Sequence, residues 1–136
     1  MADKTLTFVL MDPPYESDRT TTAMRLMHIA ASRGYNINVF AYEGAVYLAT
    51  KGQQPHANAV HGRDVDQENH PVMKDWVVSL IQTAEQNGGR VDWVNCGLCV
   101  DERGAQDFVP STRRGSPADL VTFAENSVNT LVIPVK

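Results

Sequence analysis

Cysteine is scarce in this chain: there are two in 136 residues. Two thiols cannot build the disulfide framework of a small secreted domain, so the count fits a reducing compartment and a cytoplasmic location. Positive charge is also thin. Twelve Lys and Arg stand against sixteen Asp and Glu, a formal net charge of −4, and Arg113-Arg114 is the only basic pair. No nucleic-acid surface is expected from that distribution. Long apolar runs are missing as well, and nothing approaches a membrane span. The apolar run Leu6 to Met11 is too short for the core of a signal peptide and leads directly into Asp12-Pro13-Pro14, so no signal peptide is expected. Neither G-x-x-x-x-G-K-[ST] nor G-x-G-x-x-G occurs. No phosphate cradle follows, and no cofactor is expected.

What remains is ordinary globular material: 43% apolar and 21% charged residues. There is no internal repeat or low-complexity tail, and a single domain over residues 1–136 is expected. Thr5 to Met11 is a mostly apolar run closed by Asp12-Pro13-Pro14 and reads as a buried strand. A helix is predicted from Ser17 or Asp18 to Arg33, with Ala23, Met27, Ala30 and Ala31 on its apolar face and Gly34 as its stop. Asn36 to Tyr42 reads as a second strand, followed by a short amphipathic piece from Ala45 to Ala49. Lys51 to His70 is a polar loop of unusual length, and such loops tend to be functional or mobile. Val72, Trp76, Val77, Leu80, Ile81 and Ala84 fall on one helical face, ended by Gly88-Gly89. Arg90 to Asn95 is a third strand. After a polar connection, Ser116-Pro117 offers an N-cap and first helical residue, with Leu120, Val121 and Ala124 facing inward. Thr130 to Val135 closes the chain as a strand, and Pro134 argues that it lies at a sheet edge.

Strands alternating with helices, and reading as continuous apolar runs, imply an α/β three-layer sandwich with a mostly parallel sheet of four to five strands. Chemistry in such sheets gathers at the carboxyl ends of the strands. Asp12 to Tyr15, Tyr42 to Gly44 and Asn95 to Cys99 are all expected at that edge.

Cys96-Gly97-Leu98-Cys99 is the candidate site. A cysteine between a strand and a helix faces backbone N–H groups and the positive end of the helix dipole, which favour thiolate, the nucleophilic form. Gly97 allows a tight turn beside the sulfur. Cys99 sits about one helical turn along, close enough to attack a mixed disulfide or persulfide on Cys96. Its plainer reading is a small buried hydrophobe. Asp101 and Glu102 oppose thiolate formation, and Arg103 is the only nearby cation in sequence. Asp12, Tyr15, Gly44 and Asn95 are candidate lining residues.

Two further motifs read weakly. His56 and His61, with His70 in the same loop, have a spacing that zinc sites use, but the pairs come in reversed order relative to C-x-x-C. No metal is expected, and His28 reads as a surface or packing residue. Asp12-Pro13-Pro14-Tyr15 matches the tetrapeptide of amino-methyltransferases. Those enzymes also need a glycine-rich cofactor loop and far more chain, so the segment reads as a turn after a strand.

Four stretches together resemble the DsrE/TusD-like (DsrE/DsrF-like) family of sulfur-relay proteins. They are the first strand running into Asp12-Pro13-Pro14-Tyr15, the segment Val39 to Tyr47, Cys96 followed eight residues on by Gly104 in Arg103-Gly104, and the closing helix and strand from Pro117 to Val135. The resemblance implies a parallel α/β sandwich that assembles into oligomers, a trimer or hexamer. It also implies a relay cysteine at Cys96 that accepts sulfane sulfur as a persulfide from a donor protein and hands it to an acceptor. Cys99 and the histidine-bearing loop depart from members with the single relay cysteine. Two other classes therefore stand beside the sulfur carrier: a dithiol oxidoreductase cycling Cys96 and Cys99, and a non-catalytic assembly subunit. Val46, Tyr47, Leu48 and Phe108-Val109-Pro110 are expected to be exposed and to form the partner surface.

Overall fold

The computed structural model describes residues 4–54 and 72–135. Five strands, β1 (Thr5–Leu10), β2 (Asn36–Ala41), β3 (Val91–Cys96), β4 (Thr112–Gly115) and β5 (Asn129–Ile133), form one sheet in the order β4-β3-β2-β1-β5. Every pairing is parallel. The helices between them are α1 (Asp18–Ser32), α2 (Met73–Gln86), α3 (Gly97–Arg103) and α4 (Pro117–Glu125), with a 3₁₀ helix at Glu43–Ala49. The α/β architecture is the expected one. The strand missed in the sequence is β4: it is four residues long and half arginine, so no apolar pattern announces it.

Alternation along the strands divides the core in two. Phe8, Leu10, Ile37, Val39 and Trp93 point to the face covered by α1, α2 and the 3₁₀ helix, where Met24, Met27, Val77 and Leu80 close the larger cluster. Val9, Phe40, Val94 and Cys96 point to the other face, covered by Phe123 and Leu120 of the nine-residue α4. The chain steps from β1 to β4 in one direction and returns to the far edge for β5, which carries α4 to the opposite side of the sheet.

The helix boundaries follow their caps. Ser17 accepts from the Arg19 N–H at 3.3 Å to open α1. Ser116 and Asp119 form a capping box on α4 with Pro117 at its start. Helix α2 has Val72 at its N-cap, whose side chain offers no capping hydrogen bond. Its first N–H groups are met from elsewhere: Met73 N–H donates to the Tyr15 hydroxyl at 2.9 Å and Lys74 N–H to Gln53 Oε1 at 3.0 Å.

The expected exposed apolar surface lies somewhere else. Val46 and Leu48 are fully buried, Val109 is buried, and Tyr47 and Phe108 are half-buried. The 3₁₀ helix turns Val46 and Leu48 inward, and an isolated bridge from Thr50 to Phe108 seats the second segment against the first. Exposed large apolar side chains among the described residues are instead Tyr15, Leu26, Ile29, Leu98, Val121, Val128, Val132 and Val135. No described helix is long and apolar enough to cross a membrane.

Candidate functional site at the cysteine turn

Cys96 is the last residue of β3 and the N-cap of α3. Because it falls on the thinly covered face, its side chain packs with Val9, Phe40, Val94 and Phe123 and is only 6% exposed. Cys96 thus stands at the strand end and inside the smaller cluster. Its side chain makes no capping hydrogen bond to the helix. Cys99, one turn on and partly exposed, packs against the same cluster. Both thiols are free.

Cys99 has its own backbone donor. The Glu43 N–H points at its sulfur with a 3.1 Å separation. Glu43 adopts a left-handed conformation, φ 53°. Burial raises the Cys99 pKa above the usual thiol value; the Glu43 N–H opposes this, hydrogen bonding and charge coupling with Cys96 add to it, and Arg103 opposes it. The net direction is upward, so Cys99 favours the protonated thiol.

Charged groups rim the turn. Arg103 reaches Glu43 Oε2 at 3.4 Å, and its carbonyl accepts from the Tyr47 hydroxyl at 3.0 Å. Arg114 was not foreseen as part of the site. The register sets Cys96 beside Gly115 and Asn95 beside Arg114. From there the guanidinium lies so close over Gly97 that a Cβ at that glycine would meet its Nε at 2.7 Å. Arg114 also forms a two-pronged pair with Asp101, at 2.9 and 2.8 Å. The pair holds the Asp101 carboxyl below its ordinary value and the guanidinium above its own. The sequence did carry a signal, the Arg113-Arg114 pair, but only the β3–β4 register reveals its use.

The remaining candidates divide. Asp12, Pro13, Glu16, Glu43, Gly44 and Arg103 line a cleft of about 510 Å³ at the carboxyl ends of β1 and β2. Asp12 is buried and accepts from the Ser17 hydroxyl at 2.6 Å. Gly44 lies against Pro13, where a Cβ would come within 2.8 Å of the ring. Asn95 points to the opposite face from Cys96; it accepts from Trp93 Nε1–H at 3.2 Å and donates to Thr112 Oγ1 at 3.3 Å. It lines a separate cavity of about 340 Å³ with Val100, Phe108 and Arg114. Tyr15, at φ 72°, sends its hydroxyl to Gln53 Oε1 and the start of α2. His56, His61 and His70 lie outside the described residues. Among the described residues no group of three or more His, Cys, Asp or Glu is placed to hold a metal ion.

The DsrE/DsrF-like family model matches residues 4–133, nearly the whole chain. This chain belongs to the DsrE/DsrF-like family. Among curated relatives of this DsrE/DsrF-like chain, an uncharacterized protein of Methanopyrus kandleri is 28% identical over 128 residues, covering 93% of this chain and 91% of its own. Another, from Methanocaldococcus jannaschii, is 26% identical over 125 residues, covering 90% and 94%. The crystal structure of YchN from E. coli superposes with a TM-score of 0.74 at 16% identity, over 95% of this chain and 98% of YchN. A conserved protein of unknown function from Bacteroides thetaiotaomicron gives 0.58 at 14%, over 96% and 95%. At those identities the likeness is one of fold, and it extends across the full sheet of this DsrE/DsrF-like chain.

Proposed function

We propose that this DsrE/DsrF-like protein is a sulfur carrier in which Cys96 accepts sulfane sulfur as a persulfide and passes it on. The observation that carries the reading is the position of Cys96 at the carboxyl end of β3, at the sheet edge where ligands of parallel α/β folds bind. Loading starts when the Cys96 thiolate attacks the terminal sulfur of a donor persulfide. The donor's S–S bond breaks, its thiolate leaves with the electron pair, and the new S–S bond stands on Cys96. Handing on reverses these roles with an acceptor thiolate, and neither half changes the net oxidation state. Donor and acceptor are proteins carrying reactive thiols. A nearly buried sulfur suits this task, because a persulfide there is shielded from stray thiols.

A second reading, a dithiol enzyme cycling through a Cys96–Cys99 disulfide, is favoured by the shared packing of the two side chains. The two diverge in a Cys99→Ser variant, which a carrier tolerates and a dithiol enzyme does not. Function as a trimer or hexamer in the cytoplasm completes the proposal. Support for the assembly comes from Val121, Val128, Val132 and Val135, exposed along α4 and β5. The test is the intact mass of the protein after incubation with a sulfane-sulfur donor. One added sulfur on Cys96, absent from Cys96→Ala, is expected.

A further inference from the structure

The arrangement around Cys99 speaks to a role that a second nucleophile would not need. Its sulfur accepts the Glu43 N–H at 3.1 Å. That contact occupies the sulfur as an acceptor and leaves the thiol's own proton free to be given elsewhere. Three residues earlier on the same turn sits Cys96, in the same apolar cluster of Val9, Phe40, Val94 and Phe123. Cys99 packs against that cluster, and the side chain it hydrogen-bonds and couples with in charge there is Cys96.

We propose that Cys99 is a positioning residue, a thiol fixed by the Glu43 N–H so that it donates a hydrogen bond to the Cys96 sulfur when that sulfur carries negative charge. The inference rests on Cys96 being the reactive sulfur and gives Cys99 its part in the reaction. When the acceptor thiolate takes the terminal sulfur, the S–S bond breaks and Cys96 keeps the electron pair. The Cys99 S–H then meets that charge, and its proton stays on Cys99. A hydrogen bond to the charged form of a group favours that form. The raised pKa of Cys99 fits the same arrangement, since a donor must keep its proton.

Other charges face this pair from each neighbouring element. Arg103 and Asp101 lie on α3, Glu43 on the 3₁₀ helix and Arg114 on β4, with Tyr42 after β2. None of them changes in a substitution at Cys99, so such a variant isolates the thiol.

The test is the pH profile of Cys96 alkylation by iodoacetamide, located by peptide mass, in the wild type, Cys99→Ala and Cys99→Ser. A serine hydroxyl keeps the donor and removes the second sulfur. Loss of the donor in Cys99→Ala should move the profile's midpoint up by about one pH unit. Because a more basic thiolate is also intrinsically more nucleophilic, with a Brønsted slope of about 0.4–0.5, the tenfold loss of thiolate should appear as roughly a three-fold slower rate near neutral pH. Cys99→Ser should return the midpoint to within a few tenths of the wild-type value. An unshifted midpoint in Cys99→Ala overturns the proposal, as does a Cys99→Ser profile matching that of Cys99→Ala. Circular dichroism of each variant separates these outcomes from misfolding. Since alkylation needs no sulfur donor, failure here is distinct from failure of the sulfur-carrier reading.

Discussion

At the scale of single residues, the chemistry is concentrated in one turn, and its surroundings come from distant parts of the chain. Cys96, Gly97 and Cys99 stand together in the sequence and needed no structure to be grouped. Glu43 and Arg114 reach the same turn from 53 and 18 residues before and after Cys96 by numbering, a relation no local pattern carries. Arg114 belongs to a parallel strand whose partner is set by tertiary register, which is why it read only as half of a basic pair. Its exposed charge beside the Cys96 turn should help an anion there. Arg114→Met is expected to slow Cys96 alkylation roughly two-fold at low salt, an effect that fades as salt rises and the screening length falls below ~10 Å. An unchanged rate at low salt would confine Arg114 to holding Asp101. Gly97→Ala gives an independent handle, because its Cβ displaces the flexible guanidinium and leaves the Arg114 charge in the chain.

At the scale of elements, periodicity located α1 and α2 to within a few residues, and the Ser116-Pro117 cap located α4, but the expected inward face of α4 held only at half-buried Leu120: Val121 and Ala124 are exposed and Phe123 is the buried residue. The N-terminus of α2 was less legible, for its capping groups are Tyr15 and Gln53, far away in sequence. Strand β4 was invisible for a different reason: Arg113 is held by Asp92 and Asp119 at the sheet's edge and needs no apolar neighbour. The contact between α1 and α2 holds a titratable group. His28 lies against Trp76, with ring centroids 6.0 Å apart, and its buried Nε2 has no hydrogen-bond partner among the described residues. Burial holds the His28 imidazole below its ordinary value, partly offset by a backbone hydrogen bond at Trp76. The neutral form is therefore the one the fold prefers. Its contribution to stability is present above the unfolded-chain value of about 6.5 and is lost as pH falls toward the folded-state value. Thermal unfolding followed from about pH 7.5 to 5.5 should show a steeper acid-side loss in the wild type than in His28→Gln. Equal slopes would remove His28 from the account.

At the scale of the molecule, the alternation of apolar strands with helices was enough to read a parallel α/β sandwich, because strands covered on both faces are apolar throughout. What it could not give was the strand order, and with it the thin cover of the face that holds Cys96. Nor did it show which apolar groups stay outside: Val46 and Leu48 point inward, and the exposed valines cluster in number on α4, β5 and their flanks. The two sheet edges differ accordingly. Edge β4 carries Arg113 and Arg114, which discourage pairing, whereas β5 presents Val132 at 54% exposure. If the assembly uses this side, a Val121→Asp, Val132→Asp double variant should sediment as a smaller species than the wild type. A wild type that sediments only at 15.0 kDa would remove the assembly from the proposal.

The central claim is that Cys96 carries the sulfur. Its most direct measurement is intact mass followed by peptide mapping, after exposure of wild type, Cys96→Ala and Cys99→Ser to a sulfane-sulfur donor. Cys96→Ala removes only one buried sulfur from the smaller cluster, and its folding is verified by a cooperative thermal transition. The account predicts one extra sulfur, mapped to Cys96, in wild type and Cys99→Ser and none in folded Cys96→Ala. Sulfur that loads equally well on folded Cys96→Ala, or none on the wild type, would contradict it.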